Sequence, residues 1–254
     1  MGDHGAMPGQ DRDPEVGDAF GRALLAALEH GESFAVIERD DGLVDVDRVA
    51  QNYFGEPDEW HDRCRWALDR AKGRVLDIGA GAGRASLALE HRGHDVVALD
   101  VSPGALDVCA QRGVQHRFLG TVEQYAVTTP EPFDTFLALG NNLGFLESPE
   151  RGSHFLRALE QLGHAGSIIV GTGLDPYGTD DQIHLAYHAA NRQRARLPGQ
   201  VTMRVRYRDV ATPWFDLLWC SLEELAQICE PAGWTITDVF PGWLYGVVLE
   251  RSPR

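Results

Sequence analysis

The sequence predicts an α/β fold, a doubly wound and mostly parallel seven-stranded sheet that ends in a C-terminal antiparallel hairpin. Three observations predict it. Short apolar strand patterns alternate with helical ones between residues 73 and 170, and such alternation buries parallel strands beneath helices on both faces. A run of alternate glycines joins the first of these strands to its helix. The last two strand patterns, 234–240 and 244–250, are separated only by Pro241, Gly242 and Trp243, and so short a link requires antiparallel pairing.

Each element has a local justification. Residues 1–17 are rich in Gly, Asp and Pro and read as a disordered leader. Residues 18–72 read as an N-terminal helical region. One helix there, over 18–38, places Phe20, Leu24, Leu25 and Leu28 on one face, and a second stretch, 46–68, carries Val49, Tyr53, Phe54, Trp60 and Trp66. A strand at 74–78 runs into Gly79, Gly81 and Gly83 and then a helix over 84–90. A second strand spans 95–100, after which Ser102 and Pro103 open a helix as N-cap and first-turn proline. Further strands are expected at 116–119, 133–139 and 167–170. A helix bearing Phe155, Leu156, Leu159 and Leu162 lies between the last two. Ser221 and Glu224 form a capping box that opens the final helix.

Residues 173–220 are too many for a simple loop and read as an inserted helix-plus-hairpin cap, dividing the α/β unit into 73–172 and 221–254. Within the cap, 183–197 has helical character. Residues 201–208 alternate, with Val201, Met203, Val205 and Tyr207 on one side and Thr202, Arg204, Arg206 and Arg208 on the other. Residues 214–219 are expected to pair back through the turn at 211–213.

Composition narrows the function. The chain has 254 residues, 43% apolar and 24% charged, with a net charge of −15 that argues against binding nucleic acid or an anionic membrane. No apolar run approaches the roughly 20 residues that span a bilayer. The four cysteines, Cys64, Cys109, Cys220 and Cys229, show no CxxC spacing, which suits a reducing cytoplasm. The charge is uneven: residues 182–208 contain six arginines and no carboxylate. That island is either a docking surface for an anionic group or a solvated face paired with acidic groups elsewhere.

A strand that ends in glycines and feeds a helix presents backbone N–H groups and a positive helix end at the carboxyl edge of the sheet, where ligands sit. The dinucleotide fingerprint fails here, because its third glycine would fall at Arg84, and this weakens a nicotinamide oxidoreductase reading. Asp100, at the end of the second strand, can accept both hydroxyls of a ribose.

The run Val75-Leu-Asp-Ile-Gly-Ala-Gly-Ala-Gly83, followed by Asp100-Val-Ser-Pro-Gly-Ala-Leu106, resembles the class I S-adenosylmethionine-dependent methyltransferase family. The closing hairpin is also a feature of that Rossmann-like fold. The resemblance implies S-adenosyl-L-methionine as cofactor and S-adenosyl-L-homocysteine as product. It implies that Gly79, Gly81 and Gly83 lie against the methionine and ribose portion, with Asp77 orienting the loop or the cofactor's amino group. Asp100 would hold the ribose hydroxyls and Val101 would pack on the adenine. Thr121 stands where relatives often carry an acidic residue near the adenine. Asn141 and Asn142 either line the junction of cofactor and substrate or simply make a turn. Tyr53 either closes over the methionine moiety or is a core aromatic.

Methyl transfer from a sulfonium is an in-line displacement, and an acceptor hydroxyl also needs a base. His184, His188 and Asn191 form one polar stripe on the cap helix. The two histidines are candidate bases or substrate contacts, or else ordinary surface or core residues. The cap contains no Glu and HExxH is absent, so no metal is expected. Arg204 and Arg206 could clamp an anionic group. Tyr187, Asn191 and Trp214 would furnish the wall of a substrate site, or the aromatics form the cap's own core. The expectation is therefore a cytoplasmic monomer or homodimer that methylates a small polar or anionic molecule, on oxygen first, with nitrogen or carbon as alternatives. A protein that binds the cofactor without chemistry is the rival from another class.

Overall fold

The computed structural model describes residues 14–128 and 130–251. The expected leader therefore lies mostly outside the described residues, but its end is ordered, because Glu15–Val16 is a strand (β1). The chain then runs through α1 (Ala19–His30), β2 (Phe34–Arg39), β3 (Val44–Arg48), α2 (Val49–Tyr53), α3 (Asp62–Leu68), β4 (Val75–Ile78), α4 (Arg84–His91), β5 (Val96–Asp100), α5 (Pro103–Arg112) and β6 (His116–Leu119). It continues through α6 (Val122–Ala126), β7 (Phe133–Ala138), α7 (Pro149–Leu162), β8 (Gly163–Leu174), α8 (Gln182–Gln193), β9 (Gln200–Tyr207), β10 (Val210–Ala211) and β11 (Phe215–Leu218). The last elements are α9 (Leu222–Cys229), β12 (Trp234–Phe240) and β13 (Leu244–Arg251).

The main sheet has seven strands in the order β12-β13-β8-β7-β4-β5-β6. Strands β8 to β6 of that order are parallel, and β13 and β12 are antiparallel, as the short link at 241–243 requires. Side chains alternate between the two faces of the sheet. Leu76, Phe136 and Ile169 pack beneath α7 and α9 on one face, while Val75, Leu137 and Val170 pack beneath α3 and α4 on the other. The strand order reverses at β4, which leaves a crevice at its carboxyl end.

A second sheet corrects the sequence reading of residues 18–72 as helical. Its path is β1-β10-β9-β2-β3, with β11 also paired to β9. Only α1 matches the expected helix over 18–38. Residues 34–39 and 44–48 form a hairpin instead, and β2 pairs antiparallel with β9 of the expected cap. The missed signal is local: Asp41-Gly42 is a hairpin turn between two β-branched runs, and 44–48 alternates Val and Asp. The cap is therefore not a free-standing insertion, since its strands complete a sheet begun by the N-terminal hairpin.

The registers decide which face of this sheet turns inward. Ile37 lies opposite Val205, and Phe215 lies opposite Met203. Val205 packs with Leu24 and Ala27 of α1, Ala82 of the glycine turn, and Ala105 and Val108 of α5. The Val201–Val205 face therefore covers the carboxyl edge of the main sheet, and the arginine face points away from it. We expect Phe136→Ala, at the fully buried centre of the main sheet, to cost about 3–5 kcal/mol of stability, read as a lowered urea midpoint at unchanged slope.

Candidate cofactor and acceptor site

The turn from β4 to α4 is built from residues that only glycine serves well. Gly79, Gly81 and Gly83 have φ of +71°, +56° and +73°, a region costly for side chains with a Cβ. A Cβ on Gly79 would also come within 2.5 Å of Asn142 Nδ2 and 2.7 Å of the Phe145 ring, and one on Gly83 within 2.8 Å of Val114. The turn is held by its own peptide groups. Gly81 N–H donates to Asp100 Oδ2 at 2.9 Å, and Asn142 Nδ2 donates to the carbonyls of Ile78 (2.9 Å) and Gly79 (3.1 Å). The Cys109 thiol donates to the Gly81 carbonyl and the Arg112 guanidinium to that of Ala82.

Two carboxylates are buried beneath and beside this turn. Asp77, 3% exposed, accepts a hydrogen bond from Ser86 Oγ at 2.6 Å. Burial pushes its pKa up to about 6, opposed by the Ser86 bond and reinforced by the nearby Asp100 charge. Asp100 is also raised by burial, against the N–H bonds from Ser102 and Gly81 that favour its charged form. Neither is in an ion pair among the described residues. Two such groups at one sheet edge suit a ligand that brings a cation and hydroxyl donors.

Asp18 was not singled out by the sequence and turns out to bolt α1 to this site. Its carboxylate caps α1 at Gly21 N–H and also accepts from Ser102 Oγ and Gly104 N–H. The available signal was an Asp directly before an apolar helical pattern. Tyr53, in α2, lies over Gly81: a Cβ there would be 3.5 Å from its Cδ1. Its ring meets Phe20 edge-on at 5.1 Å between centroids, and its hydroxyl donates to Asp47 Oδ2 at 2.9 Å. Burial and the Asp47 charge raise its pKa, so the phenol stays protonated.

The other expected site residues divide. Val101 is exposed at the mouth beyond β5. The Thr121 hydroxyl is engaged in a capping box with Gln124 at the start of α6. Asn142 seats the glycine turn. Asn141 has φ +66°, and its Oδ1 is buried without a partner among the described residues. Five expected acceptor contacts are corrected. Arg204 and Arg206 lie on the outer face, where both pair with Glu38 at 2.5 and 3.1 Å, and Trp214 stacks under Arg204 there. Tyr187 is instead a clamp, donating to Asp40 Oδ1 at 2.7 Å and accepting from Thr202 N–H, with Arg39 over its ring. Asn191 donates to the carbonyls of Pro198 and Gln200 and closes the α8–β9 connection.

The two histidines also separate. His184 Nδ1 lies 3.0 Å from Arg39 Nη1. A guanidinium can only donate, so Nδ1 is the acceptor and the proton sits on Nε2, which presents a donor rather than a base. His188 is buried with no hydrogen-bond partner among the described residues. Burial, helped by Arg192, His184 and Arg39, lowers its pKa, so the ring is neutral near pH 7.

The comparisons with known proteins fit this geometry. The methyltransferase domain family matches residues 75–166. An uncharacterized methyltransferase of Mycobacterium tuberculosis is 42% identical over 71 residues, 28% of this chain and 29% of that protein. The magnesium-protoporphyrin O-methyltransferase of Rhodobacter capsulatus is 33% identical over 94 residues, 35% of this chain and 39% of that protein. The chain thus spans well under half the length of these curated relatives. In fold, it matches a SAM-dependent methyltransferase from Bacteroides fragilis, solved with S-adenosyl-L-homocysteine, at a TM-score of 0.79 and 23% identity, covering 95% of this chain and 99% of that one. Residues 75–166 therefore resemble the methyltransferase domain family, and the chain as a whole shares the fold of the Bacteroides protein. The glycine turn and the two buried carboxylates fit that family's cofactor. Among the described residues no helix is long and apolar enough to cross a membrane.

Because the folded-state pKa of Asp77 lies above the unfolded value, the native state binds its proton more tightly. The ligand-free protein should therefore lose stability as pH rises from about 4 to about 6. We expect Asp77→Asn to flatten that slope and to raise stability at pH 7 by about 1–3 kcal/mol, while weakening S-adenosyl-L-homocysteine binding. Urea unfolding at pH 4.5 and 7 checks the first effect and calorimetry the second.

Proposed function

We propose that this protein transfers a methyl group from S-adenosyl-L-methionine to a small polar acceptor, with oxygen as the favoured acceptor atom. The observation that carries the reading is the left-handed glycine turn beside Asp77 and Asp100, covered by Tyr53. Gly79 to Gly83 would hold the methionine and ribose portion, Asp100 the ribose hydroxyls, and the exposed Val101 the adenine. The bound cofactor supplies an electrophilic methyl on a sulfonium. The chain's part is to position and desolvate. The inner face of the second sheet, Val201 to Val205 with Phe215 and Leu217, closes over the carboxyl edge and keeps water from it.

The oxygen preference is supported by the likeness to the Rhodobacter O-methyltransferase over 94 residues and by the neutral His188 on the inner stripe of α8. In this reading His188 takes the acceptor's proton, and His184 Nε2–H donates to the acceptor. An anionic acceptor loses its main support, because Arg204 and Arg206 are committed to Glu38 on the outer face.

Calorimetry with S-adenosyl-L-homocysteine tests the reading. We expect micromolar binding, weakened at least tenfold in Asp100→Ala, and no binding of NAD. Binding of NAD alone would overturn the proposal. Once an acceptor is in hand, the rate should be flat above pH 6.5 and should fall below it as His188 takes up a proton, because its pKa is lowered from the ordinary value. His188→Gln should remove that pH limb and lower kcat by roughly 10²-fold.

A further inference from the structure

A cavity of about 560 Å³ opens at the carboxyl edge of the main sheet, where β8 ends and β13 begins. Asp175, Tyr177, Glu223, Glu224, Gln227, Gly242 and Tyr245 are among its lining residues. That volume is in the range of small-ligand sites. The cavity lies on the same edge as the glycine turn, with β8 two strands from β4, about 10 Å at the usual strand spacing. It is therefore on the side of the cofactor cradle away from the adenine mouth at β5.

Its lining is acidic and aromatic. The positive end of α9 is already answered by Glu224, whose carboxylate accepts from Ser221 N–H and from the Tyr177 hydroxyl at 2.6 Å. Asp175 accepts from Tyr177 N–H through Oδ1, and its Oδ2 has no partner among the described residues. Glu223 is exposed at the rim. None of the three carboxylates is in an ion pair among the described residues. Tyr177 is 50% exposed and Trp243, beside the cavity against Gly178, is 56% exposed. Arg192 of α8 acts on the Tyr177 phenol and opposes its upward shift, and against the three carboxylates this one guanidinium leaves the surroundings of the cavity net negative.

We propose that this cavity binds the protonated amine end of the methyl acceptor, held between Asp175 and Glu223 and against the Tyr177 ring. A carboxylate pair supplies charge, and an exposed phenol face attracts a cation. The amine is an anchor and not the methylated atom, because the cavity is strands away from the glycine turn. This inference rests on the methyl-transfer reading and names the class of its acceptor.

The test uses the full chain with three probes that share one ring: phenethylamine, 2-phenylethanol and phenylacetate. Binding is followed by ligand-observed NMR, with and without saturating S-adenosyl-L-homocysteine. Phenethylamine is expected to bind in preference to the other two. Its affinity should fall at least fivefold in the double variant Asp175→Asn, Glu223→Gln, which keeps the turn acceptor at 175, while S-adenosyl-L-homocysteine affinity stays unchanged. The proposal is overturned if phenethylamine does not bind, if phenylacetate binds as well, or if the double variant binds phenethylamine like the parent. Loss of S-adenosyl-L-homocysteine binding by the parent protein would instead sink the methyl-transfer reading, and the probe arm without it still decides the charge preference of the cavity.

Discussion

The turn between β4 and α4 is the constraint on which the rest of this structure depends. Its three left-handed glycines bend the chain so that the N–H groups of Gly79 and Ala80 reach the Leu99 carbonyl of β5 while the Gly81 N–H and several carbonyls turn to side chains, since buried peptide groups must find partners. The neighbouring elements supply them. Asp100 from the end of β5, Asn142 from the loop after β7, and Cys109 and Arg112 from α5 each engage one or more of these groups. The turn is thus the junction at which three βα units are locked in register.

That junction carries a cost, which the chain accepts at its site. Asp77 and Asp100 are buried close enough for the charge of one to raise the pKa of the other. Among the described residues neither forms an ion pair, and the nearby Arg84 charge only partly offsets the burial of Asp77. A site of this kind is destabilising when empty and is relieved by a ligand carrying positive charge and hydroxyl donors, which couples binding to stability. Asp18 adds a further carboxylate at the same edge, yet one satisfied by two N–H groups and a hydroxyl, so its role is to hold α1 in place.

The second sheet shows how a cover can be assembled from distant parts of a chain. The hairpin β2–β3 has no partner in its own neighbourhood, and β9 arrives only after the whole parallel half of the main sheet. Once paired, the sheet has one apolar face that fits over α1, α5 and the glycine turn, and one face where Glu38 pairs with both Arg204 and Arg206. Arg39 belongs to the inner face and is buried there, so it needs Asp41, the Tyr187 ring and His184 together. The same contacts fix the rotation of α8 and hence which of its side chains point inward.

The sequence by itself determined whatever rests on local chemistry. The glycine turn was legible because only glycine tolerates those backbone angles. The caps at Ser102 and Ser221 were legible because they bond within their own first turn, and the final hairpin because three residues cannot span a crossover. Alternation along 201–208 also showed two faces of unlike character. It could not show which face turns inward, since either satisfies the pattern, and the choice was made by the surface that β2, α1 and α5 offer together. The same holds for residues 34–39, an apolar run too short to tell strand from helix until β9 pairs with it. The roles of Tyr187, Asn191 and His184 likewise rest on partners far away in the chain. Tertiary structure decided these points because hydrogen bonds and packing across long sequence separations leave no periodic trace in the residues that make them.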